Sequence, residues 1–179
     1  MTGWPLGDGP PMQTAFVTHD IHAAMREQTR AIGAGPWFLR EGGVFPRQTY
    51  RGQPVQTRLS IAMAYAGDML IELIQQHDAG PSVYRDLPGR AEGFHHFGVA
   101  VDDYAAACAA QAARGLSLVY EAEVAHGARV GYFERAGLPF MVELIQMTPQ
   151  SKAMFAGFRE AHRGWDGTDP VRPLAPVRT

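Results

Sequence analysis

Two glutamates occupy the same position in two nearly identical five-residue segments. Glu72 lies in Ile-Glu-Leu-Ile-Gln (71–75), and Glu143 lies in Val-Glu-Leu-Ile-Gln (142–146). Side chains two residues apart share one face of a strand, so each carboxylate lies among apolar neighbours. An ionised carboxylate there is costly unless it is paired or bound to a metal. One glutamate alone would indicate a paired core acid or a wet edge residue, but two at matching positions favour a shared partner.

His96 and Gln13 also occupy matching positions. When residues 13–21 are written over residues 96–104, Gln13 falls on His96. A lone histidine in a strand is more often a core residue than a ligand, so the evidence comes from the register. Together with the two glutamates, the pair supplies an imidazole, an amide oxygen and two carboxylates. This oxygen-rich set suits one divalent ion, Zn, Co, Ni, Mn or Mg, with positions left open for catalysis.

The strands that must position these residues follow one order twice. Each half reads as a strand, a helix capped by aspartate and ended near glycine, and three further strands. We predict strands at 13–18, 43–50, 55–65 and 68–75 with a helix at 21–32, then strands at 95–101, 116–122, 128–135 and 139–147 with a helix from 104 to about 114. The sequence therefore predicts an α+β fold of two tandem βαβββ modules, which duplication explains.

We interpret residues 1–179 as a single domain. Module one covers about 12–78 and module two about 94–148, while 149–179 form a C-terminal helix and tail. Helical spacing at 150–163 predicts a helix that packs on the body or on a second subunit. The proline-rich stretch after Trp165 is expected to be poorly ordered.

Composition excludes several classes of function. The chain has 179 residues, 46% of them hydrophobic, and a formal charge of -2 without a basic block, so a nucleic-acid partner is not expected. Its single cysteine excludes an intrachain disulfide and a thiolate zinc cluster. No segment resembles a membrane span or a signal peptide. We expect a protein of the reducing cytoplasm without a membrane partner.

The motifs resemble those of the vicinal-oxygen-chelate superfamily. The resemblance covers about residues 12–148 and rests on the first strand, on His-His-Phe-Gly-Val-Ala-Val-Asp-Asp (95–103) and on both Glu-Leu-Ile-Gln segments. It is strongest to the branch with glyoxalase I and methylmalonyl-CoA epimerase. The resemblance implies a cupped sheet around a metal held by the first and fourth strands of each module, here by Gln13, Glu72, His96 and Glu143. It also implies a homodimer.

Gln13 stands where many family members have histidine, including the iron extradiol dioxygenases. With one imidazole left, the set favours redox-neutral Lewis acid chemistry over oxygen activation. A ring-cleaving dioxygenase would need His95 or another histidine as a ligand. Strand alternation predicts that His95 points to the face opposite His96.

The leading hypothesis is a metal-dependent isomerase, epimerase or lyase that removes a proton next to a carbonyl, with Glu143 or Glu72 as base. The alternative is a bleomycin-resistance-type protein that sequesters a ligand without turnover. The substrate stays open between a CoA thioester, a glutathione adduct and another small carbonyl compound. Arginines available for phosphates are Arg47, Arg51, Arg58, Arg85 and Arg90, candidate pocket aromatics are Trp37, Phe38, Tyr50 and Tyr132, and a candidate substrate contact is His126.

Overall fold

The computed structural model describes residues 9–86, 91–124 and 127–174. Its helices and strands follow the predicted order, with three short strands added. Two of these lie between the second and third predicted strands of module one, and one lies at the C-terminus. They are β1 (Gln13–Val17), α1 (Ile21–Ile32), β2 (Trp37–Val44), β3 (Gln48–Tyr50), β4 (Gln53–Val55), β5 (Arg58–Ala66), β6 (Met69–Gln76), a 3-10 turn (Val83–Arg85), β7 (Gly93–Val101), α2 (Tyr104–Ala113), β8 (Ser117–Glu123), β9 (Arg129–Glu134), β10 (Met141–Gln146), α3 (Pro149–Arg163) and β11 (Val171–Pro173).

The strands form one mixed sheet of order β11-β2-β5-β6-β1-β7-β10-β9-β8-β3-β4. In module one β1 pairs with β6 in parallel, and in module two β7 pairs with β10 in parallel. The modules meet through the antiparallel pair β1 and β7. The α+β class and the repeated βαβββ order are confirmed, and the two modules place their first and last strands at the centre of the sheet.

The helices α1 and α2 begin where the sequence predicts. Asp20 accepts a hydrogen bond from the backbone N–H of Ala23, and Asp103 accepts one from Ala106, so each carboxylate satisfies a free N–H of the first turn. Gly33 ends α1 at φ 69°, a left-handed conformation that glycine adopts without strain. Each helix packs its apolar side on the outer face of its own module, which leaves the inner face to the site. Within the described ranges, none of the helices is both long and apolar enough to cross a membrane.

Helix α3 covers the inner face of the sheet. Phe155 and Phe158 are buried in the same cluster as strands from both modules, and the rings of Phe158 and Phe38 stack at 4.1 Å. Of the two placements expected for this helix, the structure shows packing on the body of its own chain. Helix α3 thereby becomes one wall of an interior cavity.

Both ends of the sheet are extended by short segments that the sequence did not reveal. The predicted strand at 43–50 is wrong. Strand β2 starts at Trp37, and Pro46 together with Arg47 at φ 50° interrupts the extended conformation before β3. Strand β3 leaves its module to pair with β8, and Gln48 fixes this crossing through bonds with Phe45 and Thr57.

The expectation of a poorly ordered tail after Trp165 is wrong for residues up to 174. Strand β11 pairs in parallel with β2. The edge strand offers unpaired backbone groups, and the tail satisfies them: the N–H of Trp37 donates to Pro170 at 2.8 Å, and that of Leu174 donates to Leu39 at 2.8 Å. The C-terminal segment therefore closes the side of the cup next to β2.

Candidate metal centre

The four predicted ligands come from the four central strands of the sheet. Gln13 begins β1, Glu72 lies in β6, His96 in β7 and Glu143 in β10, and these strands are consecutive neighbours. All four side chains point to the inner face and are buried, with exposures of 1%, 4%, 0% and 4%. The structure therefore brings together the complete set that the sequence register predicts.

Their polar atoms converge on one point. Gln13 Nε2 donates to Glu72 Oε2 at 2.9 Å and to Glu143 Oε2 at 3.1 Å, and it lies 3.3 Å from His96 Nε2. His96 Nε2 lies 3.1 Å from Glu143 Oε2 and 3.4 Å from Glu72 Oε2. Glu72, His96 and Glu143 form a group whose ligand atoms are close enough for one ion. We refer to these four residues as the Glu-His-Glu-Gln cluster.

A glycine creates the room for this cluster. Gly98 lies opposite Gln13 on β1 and opposite Glu143 on β10. A Cβ atom at Gly98 would lie 2.9 Å from both Gln13 Cβ and Ile145 Cδ1, closer than packed carbon atoms allow. The missing side chain therefore lets Gln13 approach the ligands of module two.

Strand alternation predicted that His95 points to the face opposite His96, and this prediction is wrong. Strand β7 carries one extra residue relative to β1 at this position, and such a bulge re-aims side chains. The ring of His95 lies 5.5 Å from Tyr84 and 5.8 Å from Tyr132, inside the aromatic group that surrounds His96. Both histidines are consequently buried on the side of the cavity.

His95 fixes the tautomer of its neighbour His96. His95 Nε2 lies 3.0 Å from the carbonyl oxygen of Val83, which only accepts, so Nε2 carries the proton. Burial lowers the pKa of His95 to about 3, with a further contribution from His96, so the ring is neutral and its Nδ1 accepts. His96 Nδ1 donates to it at 2.8 Å. The remaining nitrogen of His96, Nε2, therefore faces the two carboxylates.

The charges of the cluster depend on each other. Burial by itself would lower the pKa of His96, but the charges and hydrogen bonds of Glu143 and Glu72 outweigh burial and raise the pKa to about 9. Burial raises the pKa of Glu72, the hydrogen bond from His96 opposes this shift, and the charge of Glu143 adds to it. Without a metal, His96 thus carries a proton that neutralises part of the acidic charge.

The residues present fit a divalent ion. Gln13 Oε1 is buried without a hydrogen-bond partner, while its Nε2 is shared by two carboxylates. Rotation of the amide by half a turn would place this orphaned oxygen among the carboxylates, which is favourable only when a cation compensates the repulsion. An amide oxygen, an imidazole nitrogen and two carboxylates match the preferences of Zn²⁺, Mn²⁺, Co²⁺ and Ni²⁺.

A cavity of about 410 Å³ opens beside the cluster. Of the predicted pocket aromatics, Phe38 and Tyr132 line it, whereas Trp37 packs under α1 and Tyr50 bonds to Asp86. Sequence reasoning missed several of the lining residues, because they come from the loop after β6, from β2 and the turn that follows it, from α3 and from the C-terminal segment. These are Tyr84, Arg40, Phe45, Met154, Phe155, Phe158 and Leu174.

The other histidines lie away from the cluster. His22 pairs with Glu41 at the surface, His77 bonds to Ser60, and His162 bonds to the backbone of Gly35 and Gly67. His126 and Arg90 lie outside the described residues. In the part of the chain that the structure describes, His96 is the one imidazole whose ring nitrogen lies in the group of candidate metal ligands.

Comparisons with known proteins identify the family and the fold. The model of the Glyoxalase/Bleomycin resistance protein/Dioxygenase superfamily matches residues 12–133. Comparison with curated protein sequences gives no match. A methylmalonyl-CoA epimerase from Mycobacterium tuberculosis is 18% identical with a TM-score of 0.56, covering 86% of this chain and 95% of that one.

Two further solved structures share the fold. A hypothetical protein from Bacillus halodurans is 17% identical with a TM-score of 0.57, covering 77% of this chain and 94% of that one. The Streptomyces coelicolor methylmalonyl-CoA epimerase in complex with 2-nitronate-propionyl-CoA is 16% identical with a TM-score of 0.52, covering 76% and 95%. At these identities the likeness is one of fold.

Proposed function

The chain belongs to the glyoxalase/bleomycin resistance protein/dioxygenase superfamily, and from this premise we propose that it is a metal-dependent isomerase, epimerase or lyase. Its reaction would begin with removal of a proton next to a carbonyl group. The observation that carries the proposal is the convergence of Gln13, Glu72, His96 and Glu143 beside a cavity. The epimerases of similar fold support the same class of reaction.

The four residues of the cluster would hold one divalent ion. When bound, the ion supplies Lewis acid stabilisation for the negative charge that develops on the carbonyl oxygen. His96 would bind through Nε2, because His95 holds its Nδ1 proton, and Gln13 would bind through Oε1, which has no other partner. A second bond that orients a histidine ligand in this way is typical of metal sites in proteins.

The two glutamates are the candidate bases. Glu72 belongs to module one and Glu143 to module two, and both line the cavity. The raised pKa of Glu72 suits a carboxylate that must first take and then return a proton near neutral pH. Return of the proton by the second carboxylate to the other face would give epimerisation, and return to the neighbouring carbon would give isomerisation.

Tyrosines around the cluster stay protonated during this chemistry. Burial and nearby acids raise the pKa of Tyr132 and Tyr84 well above the usual value, so both remain neutral donors. Tyr132 is paired with Glu143 across β9 and β10, and its ring lies edge-on to His96 at 4.9 Å. Together with the apolar cavity wall these rings bury the side chains of the cluster, which strengthens their electrostatic interactions.

One observation favours a second function. Most of the cavity lining is aliphatic or aromatic, which also suits a bleomycin-resistance-type protein that holds a ligand without turnover. Such a protein does not require four polar ligands on one point. Metal content and turnover distinguish the two functions.

The first test is the metal content of the purified protein, measured by mass spectrometry, in wild type and in His96→Ala and Glu143→Gln. We expect about one divalent ion per chain in wild type and its loss in both variants. His19→Ala and Glu160→Gln, at exposed positions, are matched controls that should keep the ion. Absence of metal after loading with Zn, Co, Ni and Mn would contradict the enzyme proposal and favour the binding protein.

The second test follows the proton. Metal-loaded wild type in deuterium oxide should exchange hydrogen next to the carbonyl of an accepted substrate, detected by NMR. Glu143→Gln and Glu72→Gln should each reduce this exchange, because each glutamate would both hold the ion and serve as a candidate base. Exchange at the wild-type rate in both variants would contradict the assignment of the bases.

A further inference from the structure

The walls of the cavity restrict what it can hold. Its inner end is the Glu-His-Glu-Gln cluster, and its sides come from β2 and β5 of module one and β9 and β10 of module two. Met154, Phe155 and Phe158 of α3 and Leu174 of the C-terminal segment cover it. A volume of about 410 Å³ lies near the lower end of the range typical of small-molecule sites. The cavity therefore suits a compact molecule with a largely apolar body.

Among the described lining residues, Arg40 is the one cation. Its Nε is buried without a hydrogen-bond partner, and no acidic side chain in the described ranges pairs with it within 4.0 Å. The side chain is held in place, because its guanidinium carbon lies 4.1 Å from the ring centroid of Phe45 and its Nε rests against Gly43. A positioned guanidinium with unused donors is prepared for an anion.

The sheet register sets the distance between Arg40 and the cluster. Arg40 is opposite Ile61 on β5, and Ile61 is opposite Ile74 on β6, two residues from Glu72. With strands about 4.8 Å apart and same-face neighbours about 7 Å apart, the Cα atoms of Arg40 and Glu72 are about 12 Å apart. The long arginine side chain closes part of this gap. A molecule of moderate length can therefore contact the cluster and the guanidinium together.

Charge balance also favours an anionic substrate when metal is bound. Two ionised glutamates cancel a divalent ion, so Arg40, which is half-buried, then leaves one positive charge at the wall of a largely apolar cavity. A partly desolvated cation gains from an ionic partner, so one negative charge on the substrate would be favourable beside Arg40. A neutral substrate would leave the imbalance in place.

We propose that the substrate is a compact, largely apolar oxo acid whose carboxylate pairs with Arg40 while its carbonyl group faces the Glu-His-Glu-Gln cluster. The inference rests on the proposed function and narrows its substrate class. Arginine binds carboxylates through two parallel hydrogen bonds, which fixes orientation as well as charge. Arg40 is thus a specificity-determining residue.

The same observations disfavour a CoA thioester. Its phosphates would need several free cations at the cavity mouth, but two of the arginines considered from the sequence are already paired: Arg47 with Glu123 at 3.1 Å and Arg51 with Glu134 at 2.8 Å. Helix α3 and Leu174 also occupy the covered side of the cavity. The epimerase of similar fold that was solved with a CoA compound therefore does not fix the substrate of this chain.

The test compares matched ligands on metal-loaded protein. Dissociation constants are measured by calorimetry for 4-oxo-4-phenylbutanoate and its primary amide, for equivalent pairs with cyclohexyl and branched alkyl groups, and for propionyl-CoA. In wild type we expect at least one acid to bind about 10- to 100-fold more tightly than its amide, the factor of a charge-assisted hydrogen bond. Propionyl-CoA should bind more weakly than that acid.

Three variants assign the preference to the guanidinium. Arg40→Gln should lose the preference for the acid while keeping the affinity for the amide, and Arg40→Lys should keep part of it because the charge remains. Arg58→Gln, at an exposed position of the neighbouring strand, should behave as wild type. We expect the metal content to be unchanged in all three variants. If Arg40 only neutralised the charge of Glu72, its replacement would instead change the metal content.

Several outcomes would overturn the inference: equal binding of acids and amides, no binding of any pair, a preference that persists in both Arg40 variants, or tighter binding of propionyl-CoA than of every acid. The proposed function fails by different measurements, namely metal content and proton exchange. A protein that binds acids through Arg40 without exchanging protons would keep the inference and refute the enzyme.

Discussion

The proton on His96 gives the metal-free protein an unusual dependence of stability on pH. Because Glu143 and Glu72 raise the pKa of His96 to about 9, the folded state binds a proton more tightly than the unfolded state, whose histidine has a pKa near 6.5. The resulting stabilisation is fully present below pH 6.5 and is lost as pH rises through 9. The raised pKa of Glu72 acts in the same direction.

The size of this effect follows from the interval between the two pKa values of His96. A change of one pH unit is worth about 1.4 kcal/mol per proton, so the interval from 6.5 to about 9 amounts to about 3 kcal/mol. This is a large fraction of the stability of an ordinary domain, about 5–15 kcal/mol. His96 is completely buried, so solvent does not screen the interaction.

The assay is urea denaturation of chelator-treated protein between pH 6 and pH 9.5, with His96→Gln as the matched control. The variant retains every other titrating group, so the difference between the two free energies of unfolding reports the proton on His96 together with its effect on the pKa of Glu72. We expect wild type to lose about 3 kcal/mol more than the variant across this range. Parallel curves, or a wild type that gains stability relative to the variant, would refute the protonated His96 and the charges assigned to the cluster.

Four further outcomes are expected. Metal affinity should rise as pH rises toward 9, by about tenfold per pH unit for each proton released. Calorimetry in buffers of different ionisation enthalpy measures the number of protons released. An affinity that does not depend on pH would contradict this expectation. Gly98→Ala should lower the free energy of unfolding by about 1–3 kcal/mol and weaken metal binding, because its Cβ displaces Gln13. Gly157→Ala, with open space around it, should be neutral or stabilising in urea denaturation. His95→Phe should weaken metal binding about 10- to 100-fold in chelator competition, and an unchanged affinity would show that His95 does not orient the ligand. Phe158→Ala should cost about 3–5 kcal/mol in urea denaturation, and a loss below about 1 kcal/mol would show that α3 is not a fixed wall of the cavity.

The centre of the fold could be predicted because duplication displays it twice. The match of Ile-Glu-Leu-Ile-Gln with Val-Glu-Leu-Ile-Gln sets the register of β6 and β10, and the alignment of Gln13 with His96 sets that of β1 and β7. Period-two alternation then places all four side chains on one face. Local chemistry likewise fixed the helix starts, since Asp20 and Asp103 both cap.

The parts that could not be predicted depend on contacts between distant segments. Strands β3 and β11 are three residues long, and their pairing with β8 and β2 leaves no periodic signal in the sequence. Arg40 resembles a surface arginine until the closure of the cup buries its Nε. Tyr84 lies in a stretch that reads as loop, and the bulge that turns His95 inward adds a residue that strand alternation cannot anticipate.

The two modules contribute the same geometry but different degrees of constraint. The carbonyl oxygen of Val83 orients the ring of His95, and His95 in turn orients the ring of His96. Nε2 of His96 is thereby fixed in the direction of the two carboxylates. Gln13 occupies the matching position with an amide whose oxygen has no partner. Its Nε2 can hold the two carboxylates together when no cation is present, and its Oε1 can replace Nε2 when one binds. A histidine at position 13 would bring a second proton-dependent charge to the cluster, whereas glutamine leaves the proton of the metal-free cluster on His96 and the proton transfer of the proposed reaction to the two glutamates.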